Sequence, residues 1–520
     1  MNLSNNIPET KIPGSYTEFN YYAGPNGLPA NIQKVLLIGD KSSAGSLAVN
    51  KPTAVSSEQE AISLAGAGSV LMQMYKAAKK AWKYAQITLL RHAEVTGSAA
   101  TWAFTFAGTA TKPGKVSVIC NGVEYAVGVK TDNLDTVAVD PDDCGKVAVN
   151  LAEVINNTPD APFTAVATTE EVTDQTTHET SNVATGEVVL TAKCKGEYVA
   201  NGTFTTGSGA SERTFTIRGG LSVYVMSEAD GITVGGASYV ASDGSVKASP
   251  GVGDVDLATA LAAAFPERFH IIVSSVCDSS NLDKLKVRLD AAAAPLEQRG
   301  QRAICAKVSA TATEAKTEAL DKNYERLHIA AVKNKINATA WEIAAGVGAI
   351  FASNSKPNVP MNGDAIPGLA IPDIEDKWSG EEQDALLYGG VIPLVEEDGQ
   401  LCIVRAVTTR TKNSGAEWNK LNDTGVIASL DYFRDCILAM HKSKYKNKVI
   451  HAFLADALNE DNKAVASDLE DEQILRYIDD YADQFITQES KNVPGRMLCQ
   501  IPAPVVPGLN QIYSTIDLYL

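Results

Sequence analysis

At 520 residues, 45% hydrophobic and 21% charged, the chain has the make-up of folded protein and room for roughly three or four domains. A formal net charge of −17 argues against a general binder of nucleic acid or of acidic membranes. No apolar run approaches the ~20 residues of a membrane helix. The start, Met1-Asn-Leu-Ser-Asn-Asn-Ile-Pro-Glu, lacks the basic and then apolar regions of a signal peptide, so a cytosol-like compartment is expected.

The first element is an arm, residues 1–24. Ser15-Tyr-Thr-Glu-Phe-Asn-Tyr-Tyr22 reads as a strand framed by Pro13-Gly14 and Gly24-Pro25, and Tyr16, Glu18, Phe19 and Tyr21 are its candidate contact residues. Lys34-Val-Leu-Leu-Ile-Gly39 is a continuous apolar run ending in glycine, the look of a strand buried on both faces of a parallel sheet. Helical spacing follows from Ser57 to about Trp82, then a second strand at Gln86–Leu90. These make the first part of a core domain, residues 25–94.

From 95 to 249 the chain is rich in Thr, Val, Gly and Ala, and reads as an inserted β-rich domain. Trp102–Phe106, Val116–Ile119, Val123–Val127, Glu187–Thr191 and Arg213–Ile217 are its short strands, with a hairpin turn at Asn121-Gly122 and one helix over 141–156. Residues 250–377 resume the core. Helices over 254–265, 281–298, 313–322 and 338–353 alternate with strands at 269–275, 303–308 and 327–332, which predicts a doubly wound, largely parallel sheet. A C-terminal α+β domain is expected over 378–500, with a strand pair around Asp398-Gly399 and helices over 431–448 and 468–481.

The last segment, 501–520, is a proline-rich spacer followed by Gln511-Ile-Tyr-Ser-Thr-Ile-Asp-Leu-Tyr-Leu520. Alternation puts Ile512, Ile516 and Leu518 on one face and Tyr513 and Tyr519 on the other. Two readings stand for these tethered, strand-like termini. They pair with the chain's own sheets, or they complete a sheet on a neighbouring subunit.

A search for chemistry comes back empty. The eight cysteines are no closer than 24 positions apart, so zinc is not expected and buried apolar roles are. Gly39-Asp-Lys-Ser-Ser-Ala-Gly45-Ser46 and Gly108-Thr-Ala-Thr-Lys-Pro-Gly114-Lys115 both fail the spacing of a phosphate loop, and Gly66-Ala-Gly68 lacks the third glycine of a dinucleotide fingerprint. His270 and His328 sit in strand-like runs, and His92, His178, His441 and His451 gather no nucleophile or acid around them. No catalytic, cofactor-binding or metal residue is assigned. One charge feature stands out on the acidic background: Lys442, Lys444, Lys446 and Lys448. It reads either as favourable cations at a helix C-terminus or as a patch for an acidic partner surface.

Several segments resemble the tail sheath proteins of contractile-tailed phages, of the Mu-like type: Ile12-Pro-Gly-Ser-Tyr-Thr-Glu-Phe19, Leu28-Pro-Ala-Asn-Ile-Gln-Lys-Val-Leu-Leu-Ile-Gly39, Gly66-Ala-Gly-Ser-Val-Leu-Met-Gln-Met74, Cys194-Lys-Gly-Glu197 and Phe269–Ser275. The resemblance implies a subtilisin-like sheath fold without peptidase motifs, and a structural rather than enzymatic role in the virion tail. It implies hexameric rings stacked around a tail tube, assembled in the host cytoplasm, and contraction that drives the tube through the host envelope. Terminal arms would donate strands to adjacent copies. Implied partners are further copies of the chain, the tube protein, and baseplate and terminator proteins, with no cofactor, nucleic acid or membrane. The four lysines become the candidate tube-facing surface. The competing readings are an α/β hydrolase-like enzyme with a β-rich accessory domain, and another self-assembling shell or tube protein.

Overall fold

The computed structural model describes residues 28–130, 143–173, 180–206, 212–418 and 420–518. They fall into two compact units, one of Ile32–Asp431 with the chain from Val505 onward, the other of Tyr432–Pro504 with the residues before Ile32.

The larger unit is built on a nine-stranded sheet. Six strands run parallel, in the order Gln86–Arg91, Lys34–Gly39, Ile271–Ser274, Arg302–Ser309, Leu327–Lys333 and Ile392–Glu397. Thr53–Val55 adds antiparallel at one edge, and Gln400–Ile403 followed by Asp364–Ala365 at the other. The apolar run at 34–39 shows why the sheet is covered on both faces. Val35 and Leu37 join the core beneath helices Val70–Ala81 and Ala340–Ser353. Leu36 and Ile38 face the opposite core, with Ser279–Ala293, Ala312–Lys322 and Gly380–Tyr388. The molecule is therefore a mixed α/β protein with a parallel sheet, as the alternation predicts.

Four elements differ from expectation. The single helix predicted from Ser57 to Trp82 is two, Glu58–Ala65 and Val70–Ala81. Gly66 and Gly68 between them take φ of 77° and 74°, a left-handed turn that a right-handed helix cannot contain. The helix predicted at 468–481 lies instead at Leu454–Asp471. Gln473 and Tyr477, at φ 62° and 58°, break the later stretch, and Leu454, Leu458, Val465, Ala466 and Leu469 supply the buried stripe of the earlier one. The helix expected from Asp431 begins earlier, at Thr424, and ends at Lys444. Finally, the boundary expected at 377/378 is crossed by the sheet, because Ile392 and Pro393 pair with Ala330 and Ala331.

Among the described residues the stretch expected as an insert carries three antiparallel sheets. One orders Ile232–Gly235, Ala99–Gly108, Thr180–Lys195 and Phe163–Thr173; a second orders Tyr239–Val240, Ser245–Val246, Val223–Ser227, Gly114–Cys120 and Val123–Val129; the third pairs Gly202–Thr206 with Arg213–Ile217. Trp102, Phe104 and Phe163 point inward, and helix Cys144–Asn156 closes that core with Val147, Leu151 and Ile155. The helix begins at the Asp143 cap, whose carboxylate accepts from the Lys146 amide at 2.8 Å.

Candidate assembly surfaces

Among the described residues, the C-terminal segment is tied to the larger unit as far as Asn510. Gly508 lies against the Pro360 ring, Asn510 Nδ2 donates to Asp423 Oδ2 at 3.0 Å, and Asn362 Nδ2 donates to Asn510 Oδ1 at 2.9 Å. Beyond that point the chain takes no regular secondary structure and joins no strand among the described residues. Ile512, Tyr513, Ile516 and Leu518 are 77%, 90%, 93% and 81% exposed. Four large apolar side chains in eight residues, all exposed, have no covering surface among the described residues. Tyr519 and the N-terminal candidates Tyr16, Glu18, Phe19 and Tyr21 lie outside the described residues.

The four lysines do not behave alike. Lys444, on the last turn of helix Thr424–Lys444, pairs with Asp461 at 2.7 Å, and the Tyr445 hydroxyl donates to the same carboxylate at 2.6 Å. Partial burial pushes the Asp461 carboxyl up, and the Lys444 and Tyr445 hydrogen bonds more than offset it, leaving it below its ordinary value. Next to this pair, the His441 ring meets Asn462 Oδ1 at 2.8 Å. Lys442, Lys446 and Lys448 are exposed, and the exposed Val449 and Phe453 continue the turn.

The same unit holds an element not anticipated from sequence, the hairpin Ile486–Glu489 with Met497–Gln500. Its outer edges meet no further strand among the described residues. Thr487 Oγ1 donates to Asn459 on helix Leu454–Asp471 at 3.0 Å, which holds one face down, while Ile486 and Leu498 remain half exposed. The turn signal was in the sequence, at Pro494-Gly495, where Gly495 takes φ 82°. Each strand is too short to have shown a period.

The places where catalysis was sought are structural. In the Gly39–Ser46 loop, Lys41 turns its ammonium onto the Ser42 and Gly45 carbonyls at 3.2 and 2.8 Å, and Asp40 pairs with Arg91 at 3.2 Å. The loop carries a carboxylate where a phosphate would need cations. His92 and His328 are fully buried. His328 Nδ1 meets the Val407 carbonyl at 3.0 Å, and burial depresses its pKa to about 3. His270, near the amino end of its strand, is depressed to about 3 by burial and by Arg268, Arg302 and Lys34. His441 and His451 belong to the smaller unit, and His178 is outside the described residues. Five cysteines are buried and Cys499 is exposed, all as free thiols. Among the described residues no His/Cys/Asp/Glu group could hold a metal, and no helix is long and apolar enough to cross a membrane.

A cavity of about 890 Å³ opens beyond the carboxyl ends of strands Ile271–Ser274 and Arg302–Ser309, where ligands of open α/β sheets bind. Its cations are already spoken for. Arg213 pairs with Glu197 at 2.6 Å, Arg218 with Glu314 at 2.7 Å, Lys284 with Asp256 at 3.2 Å, and Lys307 with Glu318. No histidine is among the residues that line the cavity.

Comparison with known proteins agrees with that empty search. Residues 250–409 match the family model described as phage tail sheath protein central domain. Over 460 residues, 85% of this chain and 81% of the relative, the sequence is 26% identical to the Mu-like prophage FluMu tail sheath protein of Haemophilus influenzae. Residues 250–409 are thus similar to a phage tail sheath central domain, and most of the chain is similar to a Mu-like prophage tail sheath protein. Sheath proteins are structural and not enzymatic, and the hydrolase reading finds no support in these similarities. Among solved structures, a sheath tail protein from Desulfitobacterium hafniense aligns over 91% of this chain and 93% of its own, at 15% identity and a TM-score of 0.46. One from Listeria innocua aligns over 92% and 93%, at 14% identity and a TM-score of 0.48.

Proposed function

We propose that this chain is a contractile tail sheath protein that assembles into hexameric rings stacked around a tail tube, and that its copies are linked by strands donated from the terminal arms. The observation that carries the reading is the segment from Gln511 to Leu518, exposed throughout, alternating in sequence and without a partner strand among the described residues. A strand's backbone donors and acceptors and its apolar side chains are satisfied together only when another strand lies beside it. Among the described residues of one subunit this arm has none. The hairpin Ile486–Glu489/Met497–Gln500 offers the complementary need, a two-stranded sheet of marginal stability with open edges, and is the proposed acceptor on the next copy. Arms of this kind keep neighbours linked while they rotate past one another. Contraction is then a change of intersubunit contacts that drives the tube through the envelope, with no nucleotide consumed.

Tail tube, baseplate and terminator proteins are the proposed partners, host cytoplasm the proposed place of assembly, and Lys442, Lys446 and Lys448 the proposed contact with the tube. The test is negative-stain electron microscopy of the full chain beside one ending at Gly508. Ringed tubes from the full chain that disappear on truncation are expected. Tubes of equal length from both would refute linkage by the C-terminal arm, and monodisperse monomers from both at high concentration would refute self-assembly into rings.

A further inference from the structure

One wall of the cavity carries two thiols that no short cysteine motif joins in sequence, Cys277 and Cys305. The parallel sheet brings them together. Val273 pairs with Ile304, so strand Ile271–Ser274 ends beside Cys305 of the neighbouring strand, Arg302–Ser309. The chain then turns into helix Ser279–Ala293, and Cys277 lies in that connection.

Side-chain direction completes the meeting. Cys305 is fully buried in the core that Leu282 and Leu285 of the helix cover, and Cys277 packs against the same core. The two sulfurs share a hydrogen bond. The connection is fastened on both sides of Cys277. Before it, Ser274 Oγ donates to the Val276 carbonyl at 2.8 Å and accepts from the Val276 amide at 3.2 Å. After it, the Asp278 carboxylate caps the helix by accepting from the Asn281 amide at 3.0 Å. Cys277 therefore sits between anchored neighbours, which keep its thiol at Cys305.

The two thiols differ in access. Cys277 is half-buried and lines the cavity, while Cys305 is fully buried and does not. The shared hydrogen bond and burial hold the Cys305 thiol well above its ordinary value, so it stays protonated. A reachable thiol backed by a second one is the arrangement of a reacting and a resolving cysteine.

We propose that Cys277 and Cys305 are a reversible dithiol–disulfide couple, with hydrogen peroxide entering the cavity as the oxidant. The Cys277 sulfur attacks a peroxide oxygen, the O–O bond breaks, and a sulfenic acid and one water result. The Cys305 sulfur then attacks the sulfenic sulfur, and the hydroxyl leaves with the Cys305 proton as a second water. Two thiols lose two electrons and two protons, and one peroxide becomes two waters. The S–S bond ties the entry of helix Ser279–Ala293 to the neighbouring strand, and a dithiol reductant releases it. The inference rests on the fold and not on the proposed assembly.

Mass spectrometry of the full chain tests it, in a Cys499→Ser background that removes the exposed thiol. The folded protein is treated with hydrogen peroxide, then denatured in a maleimide that blocks every remaining thiol. Loss of two blockable thiols per chain is expected, with a link between tryptic peptides 269–284 and 303–307, both reversed by dithiothreitol. Cys305→Ala should instead let Cys277 run on to the sulfinic acid, because no resolving thiol remains. Sulfinic acid at Cys277 with Cys305 present and still blockable would overturn the inference. So would a link from either cysteine to any other, or an unreacted Cys277 under peroxide that fully oxidises Cys499 of the parent.

Discussion

Arg326 grips Asp431 with both prongs of its guanidinium, Nη1 at 2.5 Å from Oδ2 and Nη2 at 2.9 Å from Oδ1. The side chains are 8% and 13% exposed, so the pair is nearly dry. Arg326 immediately precedes strand Leu327–Lys333, and Asp431 sits on helix Thr424–Lys444, so the pair pins the start of that helix to the sheet. Asp431→Ala leaves a buried guanidinium without its counter-charge and should cost about 3–5 kcal/mol. Gly300→Ala should also weaken the pair, because its Cβ would stand 2.2 Å from the Asp431 carboxylate. Arg326→Lys should recover only part, since an ammonium lacks the fork. Guanidinium denaturation midpoints measure all three; a midpoint for Asp431→Ala equal to the parent's would reject the assigned role.

Stability should fall with pH in the mildly acid range. His328 and His270 are each depressed to about 3, His328 chiefly by burial and His270 by burial plus its cationic neighbours. Both lie below the ordinary ~6.5, so the unfolded chain binds protons that the folded chain refuses. Their full contribution is present above pH ~6.5 and is lost as pH falls toward 3, on the order of 2 kcal/mol for each histidine by pH 5. Denaturation at pH 7 and pH 5 should show the drop, and His328→Gln should make it shallower. Equal slopes in parent and variant would show that His328 does not carry it.

The parallel sheet was legible because each strand announces itself locally. Lys34–Gly39 and Leu327–Lys333 are unbroken apolar runs, and only a strand covered on both faces needs that. What escaped depended on single residues or distant partners. Gly66 and Gly68 looked tolerable inside a helical pattern, and only their left-handed conformation shows that two helices meet there. Nothing in Ile392-Pro-Leu says that its neighbour will be Ala330, since register is set by the whole sheet. The lysine run shows the same limit at the candidate site. Lys444 is neutralised by Asp461, a residue on a helix that the sequence pattern misplaced. The arm at 511–518 reads as a strand in sequence, but it joins no strand among the described residues, since its proposed partner belongs to another copy.

Ser69 tests the break between the two helices. It is fully buried, and its hydroxyl accepts from the Met72 amide at 3.1 Å at the start of helix Val70–Ala81. Ser69→Ala should cost about 1 kcal/mol through the lost cap. Ser69→Asp should cost more despite being a good cap residue, because it puts a carboxylate into a buried site. Thermal melts of the three proteins read this directly; an Ala variant as stable as the parent would mean the cap is idle.

The lysines separate stability from partner binding. Lys442, Lys446 and Lys448 are exposed, so replacing all three by Glu should leave the melting temperature nearly unchanged, within about 0.5 kcal/mol per site. Lys444→Glu instead sets two carboxylates against each other at Asp461 and should be the more destabilising change, though modestly, because Lys444 is half exposed. If the three exposed lysines face the tube, the triple variant stays folded but fails to sediment with preformed tubes, and the parent's binding weakens as salt rises. Co-sedimentation of the triple variant at the parent's level would remove these lysines from the tube contact and leave them as cations near the end of a helix.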